Sequence, residues 1–154
     1  MYRHTQIGYA MMAFGLIPAA IAIRALWSWP ARVALIPLIV GVVALALIGL
    51  FSVLTVSVDE AAVRWNFALG LFERTIALGA VADARIVTPP WYAGWGIRWT
   101  LDGWLYRVSG LRAVAIRTHD GRTTCLGTDE LDRLLAAILE GVEAVRAQSQ
   151  VTRR

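Results

Sequence analysis

The sequence predicts a membrane-anchored α+β protein, with a transmembrane helical hairpin followed by a strand-rich domain that ends in a helix. Hydrophobic residues make up 58% of the 154 residues even without glycine, whereas apolar residues including glycine make up about 45–50% of a soluble domain. Two long uncharged runs lie near the N-terminus. Beyond them, short apolar runs alternate with polar residues, which is the period of half-buried strands.

The two uncharged runs form the predicted anchor, residues 1–54. No charged residue occurs from Ile7 to Ile23 or from Val33 to Val58, and the aliphatic part of the second run ends at Leu54. A helix of about 20 apolar residues crosses the hydrocarbon core of a bilayer. We therefore expect transmembrane spans over residues 7–23 and 33–54, with the lipid bilayer as the first partner.

The connector between the two spans, residues 24–32, has the composition of a membrane interface. Trp27 and Trp29 are amphipathic rings of the kind found at headgroup depth, and the arginines at its two ends can extend along the helix ends to water. Pro30 is expected to break the chain between the helices.

Two alternatives to this hairpin remain open. The first run could be a signal peptide, since Arg3 precedes it and Ala20-Ile-Ala22 has the small-x-small form of a cleavage site. The pair could also be a core hairpin of a soluble protein. We prefer the transmembrane hairpin because a second apolar run follows almost at once.

Membrane orientation is only weakly indicated by charge. Arg3, Arg64 and Arg74 flank the spans on the side of the termini, against Arg24 and Arg32 in the connector, and this difference does not discriminate. A short connector is translocated more easily than a domain of about 100 residues. We expect an inner-membrane protein with both termini and the domain in the cytoplasm.

Charge and cysteine content exclude several kinds of partner and site. The net charge of +4 arises mainly in residues 1–54, which hold three arginines and no acid, while the remaining residues hold twelve arginines and eleven acids. Without a long cationic face, a nucleic-acid partner is not expected. Because Cys125 is the only cysteine, no intramolecular disulfide or cysteine-based zinc cluster can form.

The second part of the chain, residues 55–147, is predicted to be one strand-rich domain. Turn signals at Asp59-Glu60, Asp102-Gly103 and Asp120-Gly121 separate alternating runs. The predicted strands are 54–58, 63–67, 71–78, 81–87, 97–100, 104–108, 111–117 and 122–126. Seven or eight short strands in succession are typical of a barrel or sandwich.

A C-terminal amphipathic helix closes the domain. Thr128 is a candidate cap, and acidic residues at the start complement the helix N-terminus. Leucines, isoleucine and valines follow at helical spacing, at positions 131, 134, 135, 138, 142 and 145. We expect this stripe to cover an open end of the barrel, with docking into a partner as the alternative, and residues 148–154 to form a polar tail.

Six segments of the sequence together carry a resemblance to a known family, and they are Val56–Trp65, Gly94–Arg98, Gly103–Tyr106, Val108–Gly110, Asp120–Gly121 and Gly127–Glu130. With the two apolar runs before them and the helix after them, they resemble small bacterial two-helix membrane proteins with a pleckstrin-homology-like domain. The resemblance implies a seven-stranded, partly open β-barrel capped by the C-terminal helix, at the cytoplasmic membrane surface. Domains of this kind bind lipid headgroups, peptides or each other, so the resemblance names no ligand.

The best candidate binding site is the segment from Trp91 to Gly110, which contains four of the seven tryptophans and includes the predicted aromatic hairpin of residues 97–108. Its rings could simply fill the barrel, or they could face the bilayer or a partner, as amphipathic rings tend to do. In the second case the arginines would meet lipid phosphates or an acidic partner. The candidate binding residues are Trp91, Tyr92, Trp95, Arg98, Trp99, Trp104, Tyr106 and Arg107.

No catalytic, metal-binding or cofactor-binding set is predicted. His4 and His119 have no second histidine at ligand spacing, and Cys125 is expected to be a small core residue. The leading hypothesis is a non-enzymatic membrane protein whose domain mediates protein or self-association at the bilayer. The alternative is a module that binds a lipid headgroup or small ligand through the aromatic hairpin.

Overall fold

The computed structural model describes residues 1–67, 70, 72–100 and 103–152. Two apolar helices lie near the N-terminus, nine described strands form two sheets, and a long helix follows them. The α+β layout expected from the sequence is therefore confirmed. Within the turn predicted at Asp102-Gly103, Asp102 lies outside the described residues.

The anchor consists of α1 (Tyr9–Ser28) and α2 (Ala31–Phe51), both long and apolar enough to cross a membrane. Both differ from the predicted spans, since α1 continues past Ile23 and α2 ends before Leu54. The connector is correspondingly short, because only Trp29 and Pro30 separate the helices. The helices pack through small residues, whereas most large aliphatic side chains on their outer faces are exposed.

The first sheet contains a strand that the sequence analysis missed. Strand β1 (Tyr2–Ile7) pairs antiparallel with β2 (Val53–Val58), and the sheet continues through β3 (Ala62–Phe67) to β4 (Phe72–Ala77). In β1 the buried side chain is Gln6, and the intermediate ones are Tyr2 and His4. Because these residues are mostly polar, the strand lacks the apolar alternation that marks the others.

The second sheet is built from the remaining five described strands. They are β5 (Val81–Val87), β6 (Gly96–Thr100), β7 (Gly103–Arg107), β8 (Ala113–Thr118) and β9 (Thr123–Gly127), in the spatial order β5-β8-β9-β7-β6. All pairs are antiparallel except β7 with β9, which run parallel. The aromatic hairpin β6–β7 is thus attached to the far side of β9, at the edge of the sheet.

The two sheets do not close into a single barrel. Strand β4 forms one end of the first sheet and β6 one end of the second, and neither has a second strand partner among the described residues. Between the sheets lies one main apolar core, which includes Val56, Trp65, Tyr106, Ile116 and Leu126. A smaller cluster on the other face of the second sheet includes Ala93, Leu105 and Cys125.

The C-terminal helix α3 (Leu131–Thr152) packs its apolar stripe against this core, as the sequence predicts. Leu131, Leu134, Ile138 and Val142 are buried, and the Thr128 hydroxyl accepts a hydrogen bond from the Glu130 N–H just before the helix begins. The helix includes much of the segment predicted as a polar tail, residues 148–154, while residues 153 and 154 lie outside the described part.

The anchor contacts the domain at the end of α2. At the end of α2, Phe51 stacks on Phe72 with ring centroids 5.4 Å apart, and it lies 6.0 Å from Phe67. Strands β2 and β4 therefore begin beside the anchor, and β3 ends there. The opposite strand ends, including the turn between β2 and β3, are far from the anchor. The turn after β8 lies at the same end, because the backbone N–H of His119 donates to Ala80 and that of Leu78 donates to Ala61.

Candidate binding site between the sheet edges

The aromatic hairpin forms as predicted from its sequence. Ile97 pairs with Tyr106 and Trp99 with Trp104, and the two indole rings meet edge to face at 5.1 Å. Since paired residues in a hairpin point to the same face, these four side chains project together from one side of β6 and β7.

That side borders a recess of about 1300 Å³ that extends between the edges of the two sheets. We call its inner part the aromatic seam, because it lies where β4 and β6 fail to meet. The residues that line the aromatic seam are Trp65, Phe72, Arg74, Ile76, Ile97, Trp99, Trp104 and Tyr106. Each of its two walls therefore ends in an edge strand that lacks a second partner among the described residues, and its lining is mainly aromatic.

Tyr106 is a central residue of the aromatic seam. Its ring meets Trp65 edge to face at 5.3 Å and lies 6.4 Å from Trp104. Burial raises the pKa of the Tyr106 hydroxyl, while the positive charge and hydrogen bond of Arg74 act in the opposite direction. Arg74 is the cation of the aromatic seam, and the register of β4 places it opposite Trp65.

The recess is also lined by two arginines, Arg85 and Arg117, on the face of the second sheet opposite to that of Tyr106. The strand registers place Arg85 opposite Ala115 and Arg117 opposite Thr123, with Cys125 opposite Ala115. Both arginines are exposed, and neither forms an ion pair within 4.0 Å among the described residues. Cys125 is buried, in agreement with its predicted role as a small core residue.

The structure removes Arg107 from the accessible candidates. Its side chain is fully buried, with Nε and Nη2 donating to the Gly94 carbonyl oxygen at 3.1 and 2.6 Å and Nη1 donating to Leu111 at 3.1 Å. Burial lowers the pKa of the guanidinium. Arg107 therefore holds two loops together and does not face lipid phosphates as expected, because strand alternation turns it away from Tyr106 and into the protein.

The other predicted residues lie outside the aromatic seam. Trp91 and Tyr92 are exposed on a turn of 3-10 helix (Trp91–Ala93), and Arg98 is exposed on β6. Trp95 is partly buried, with its ring 6.2 Å from Phe14 of α1. The eight candidates thus divide into a seam group (Trp99, Trp104, Tyr106), the buried Arg107, and a group near the anchor (Trp91, Tyr92, Trp95, Arg98).

Sequence reasoning missed Arg74 and Phe72 as parts of the site. A signal was present, because Phe72, Arg74 and Ile76 share one face of β4 and an arginine interrupts an otherwise apolar face. No comparable signal exists for Phe14, whose contact with Trp95 arises only from the tertiary structure.

The described residues contain no group of three or more His, Cys, Asp or Glu side chains placed to hold a metal ion. His119 lies in the turn after β8, where its N–H donates to the Ala80 carbonyl oxygen at 3.0 Å. Comparisons of the chain with protein-family models, with curated proteins and with solved structures found no match. The resemblance to pleckstrin-homology-like membrane proteins therefore stays a prediction.

Proposed function

We propose that the chain is an integral membrane protein whose pleckstrin-homology-like domain captures an extended segment of a partner polypeptide in the aromatic seam. The observation that carries this proposal is that two sheet edges, β4 and β6, border one aromatic recess without pairing with each other. Protein association at the membrane surface, with another membrane protein or a second copy of the chain, is the function that this geometry supports best.

An unpaired edge strand is a template for strand addition, because its outward N–H and C=O groups accept another extended chain. Strand β4 has no proline, and five of its six side chains, all but Ile76, are exposed. Main-chain hydrogen bonds would supply affinity, and the aromatic rings would select apolar side chains at alternate positions of the partner. Arg74 would favour one acidic residue among them.

The aromatic seam adjoins the end of the anchor. Phe72 lines the seam and stacks on Phe51, the last residue of α2. One end of the seam therefore lies beside the point where the anchor ends. A partner segment in the seam would begin or finish at the membrane surface, which fits a segment directly next to a transmembrane helix.

Site-specific photocrosslinking in native membranes tests this proposal. A benzophenone amino acid in place of Thr75, on β4, is expected to form a polypeptide adduct, while the same group in place of Glu143, exposed on α3, is not. Arg74→Glu should abolish the Thr75 adduct, and the matched change Arg133→Glu on α3 should leave it intact. Equal adducts at both positions, or an adduct indifferent to Arg74→Glu, would contradict strand capture.

Membrane topology is part of the same proposal. We place both termini and the domain in the cytoplasm of a bacterial cell, with the short Trp29-Pro30 connector on the other side. In a Cys125→Ala background, a cysteine in place of Ser28 should react with an impermeant maleimide added to intact cells. Reaction only after the cells are opened would reverse the orientation.

A second candidate is recognition of a lipid headgroup or small anionic ligand. It is favoured by Arg85 and Arg117, which border the recess with no ion-pair partner among the described residues. Mass spectrometry of lipids that copurify with the full-length protein separates the two candidates. Loss of a bound anionic lipid in Arg85→Ala and Arg117→Ala, with the Thr75 adduct unchanged, would favour the headgroup site.

A further inference from the structure

Two loops of the domain lie against the junction with the anchor, residues 88–95 and 108–112. At the start of α1, the Gly8 N–H donates to the Ser52 carbonyl oxygen at 2.7 Å. A Cβ on Gly8 would lie only 2.6 Å from the Val108 carbonyl oxygen, and Gln6 hydrogen-bonds to Ser109. The loop 108–112 therefore begins where the chain enters its first apolar helix.

Arg107 connects the other loop, residues 88–95, to loop 108–112. Its guanidinium binds the carbonyl oxygens of both Gly94 and Leu111, so the two loops lie side by side. Trp95, which follows Gly94 in the chain, packs on Phe14 of α1. Phe14 lies five residues beyond Tyr9, which corresponds to about 7.5 Å along the helix axis, so the loop reaches past the start of the apolar helix.

The free surface of these two loops is aromatic and basic. Trp91 is 79% exposed, Tyr92 70% and Leu111 53%. Arg98 and Arg112 are exposed beside them, and neither 88–98 nor 108–112 contains an acidic residue. Exposed Trp and Tyr with nearby arginines are the composition of a protein surface at headgroup depth, where rings meet the interface and guanidinium groups meet phosphates.

We propose that Trp91, Tyr92 and Leu111 form a membrane-contact surface that rests in the headgroup layer of the bilayer that holds α1 and α2. The occupant of this surface is the lipid interface, because the surface is continuous with the apolar helix through the Phe14–Trp95 contact. The inference rests on the proposed membrane anchoring but not on strand capture. It assigns to these loops the task of fixing the domain against the membrane.

Depth-dependent quenching in reconstituted full-length protein tests the inference. In a Cys125→Ala background, the environment-sensitive dye NBD is attached to Tyr92→Cys or, as a matched exposed control, to His119→Cys. Tyr92 lies in the loop after β5, at the Ala113 end of β8, because Val87 pairs with Ala113. His119 follows the other end of β8, and this strand is about 17 Å long at 3.3–3.4 Å per residue. The vesicles contain phosphatidylcholine and phosphatidylglycerol, with a nitroxide on the headgroup of a minor lipid.

The label at position 92 is expected to be quenched several-fold more strongly than the label at position 119, with a shorter emission wavelength. Equal quenching in protein that resists alkaline carbonate extraction would overturn the contact surface while leaving the anchor intact. Protein removed by carbonate would instead contradict the anchoring. A label at Leu111→Cys should lose quenching when Trp91 and Tyr92 are both changed to serine, and retained quenching would also overturn the inference.

Discussion

The guanidinium of Arg107 binds the carbonyl oxygen of Gly94 through two nitrogen donors, which ties the loop before β6 to strand β7. We expect Arg107→Met to destabilise the protein by about 2 kcal/mol, because hydrogen bonds from charged groups contribute about 1.5–3 kcal/mol. Denaturant unfolding in detergent measures this change. The exposed Arg98→Met is the matched control, and an equal effect of both substitutions would argue against the bridging role.

Gly41 allows the close approach of the anchor helices. A Cβ there would lie 3.0 Å from the Ala22 Cβ and 3.2 Å from the Pro18 carbonyl oxygen, whereas a Cβ on Gly49 would meet nothing within 4 Å. We expect Gly41→Ala to destabilise the helix pair by about 1–3 kcal/mol through overpacking, and Gly49→Ala to have little effect. Thermal unfolding in detergent compares the two variants, and the reverse order would refute this packing.

Leu134 lies on the buried face of α3 and Leu139 on its exposed side, with 0% and 45% exposure. We expect Leu134→Ala to cost about 2–5 kcal/mol, because it leaves a cavity in the core. Leu139→Ala should change stability only slightly. Equal losses, measured by denaturant unfolding, would mean that α3 does not pack on this domain through its predicted stripe.

His4 of β1 lies 2.6 Å from a carboxylate oxygen of Asp129, and this contact links the first strand to the start of α3. Double-mutant analysis of His4→Ala and Asp129→Ala should give a coupling of up to about 1 kcal/mol, typical of a partly exposed pair. Strictly additive losses of stability would show that the two side chains do not interact in solution.

Asp59 stabilises the turn between β2 and β3. Hydrogen bonds from the N–H groups of Ala61 and Ala62, together with Arg64, lower the pKa of its carboxyl group. Because the pKa is lower in the folded state than in the unfolded chain, the ionised carboxylate stabilises the fold at pH values above its ordinary pKa of about 3.9. This contribution is lost as the pH falls through the lowered pKa of the folded state. Wild type should therefore be more stable than Asp59→Asn at neutral pH, and the difference should shrink below about pH 4. A thermal midpoint difference that does not change with pH would contradict this.

Local sequence patterns predicted most elements because their signals are local. Long uncharged runs marked the helices, alternation marked β2 and β3, turn residues separated the later strands, and helical spacing marked the buried face of α3. Strand β1 was not predicted because its inward residues are polar. Arg107 was predicted in the site and Arg74 was not, because the side to which each arginine points depends on which face its strand turns inward. The division of the tryptophans between the aromatic seam and the anchor junction depends on loop packing, which no short pattern encodes.

The pairing of β1 with β2 has a consequence for how this protein is made. Ile7 lies opposite Val53, so the whole helical hairpin replaces the short turn that ordinarily joins neighbouring antiparallel strands. Because β2 follows both helices in the chain, the first sheet can be completed only after the ribosome has made α1 and α2 and the two helices have packed against each other. Cleavage after Ala22, as by a signal peptidase, would detach β1 from the rest of the first sheet, so folding of that sheet requires both apolar helices to stay in one continuous chain.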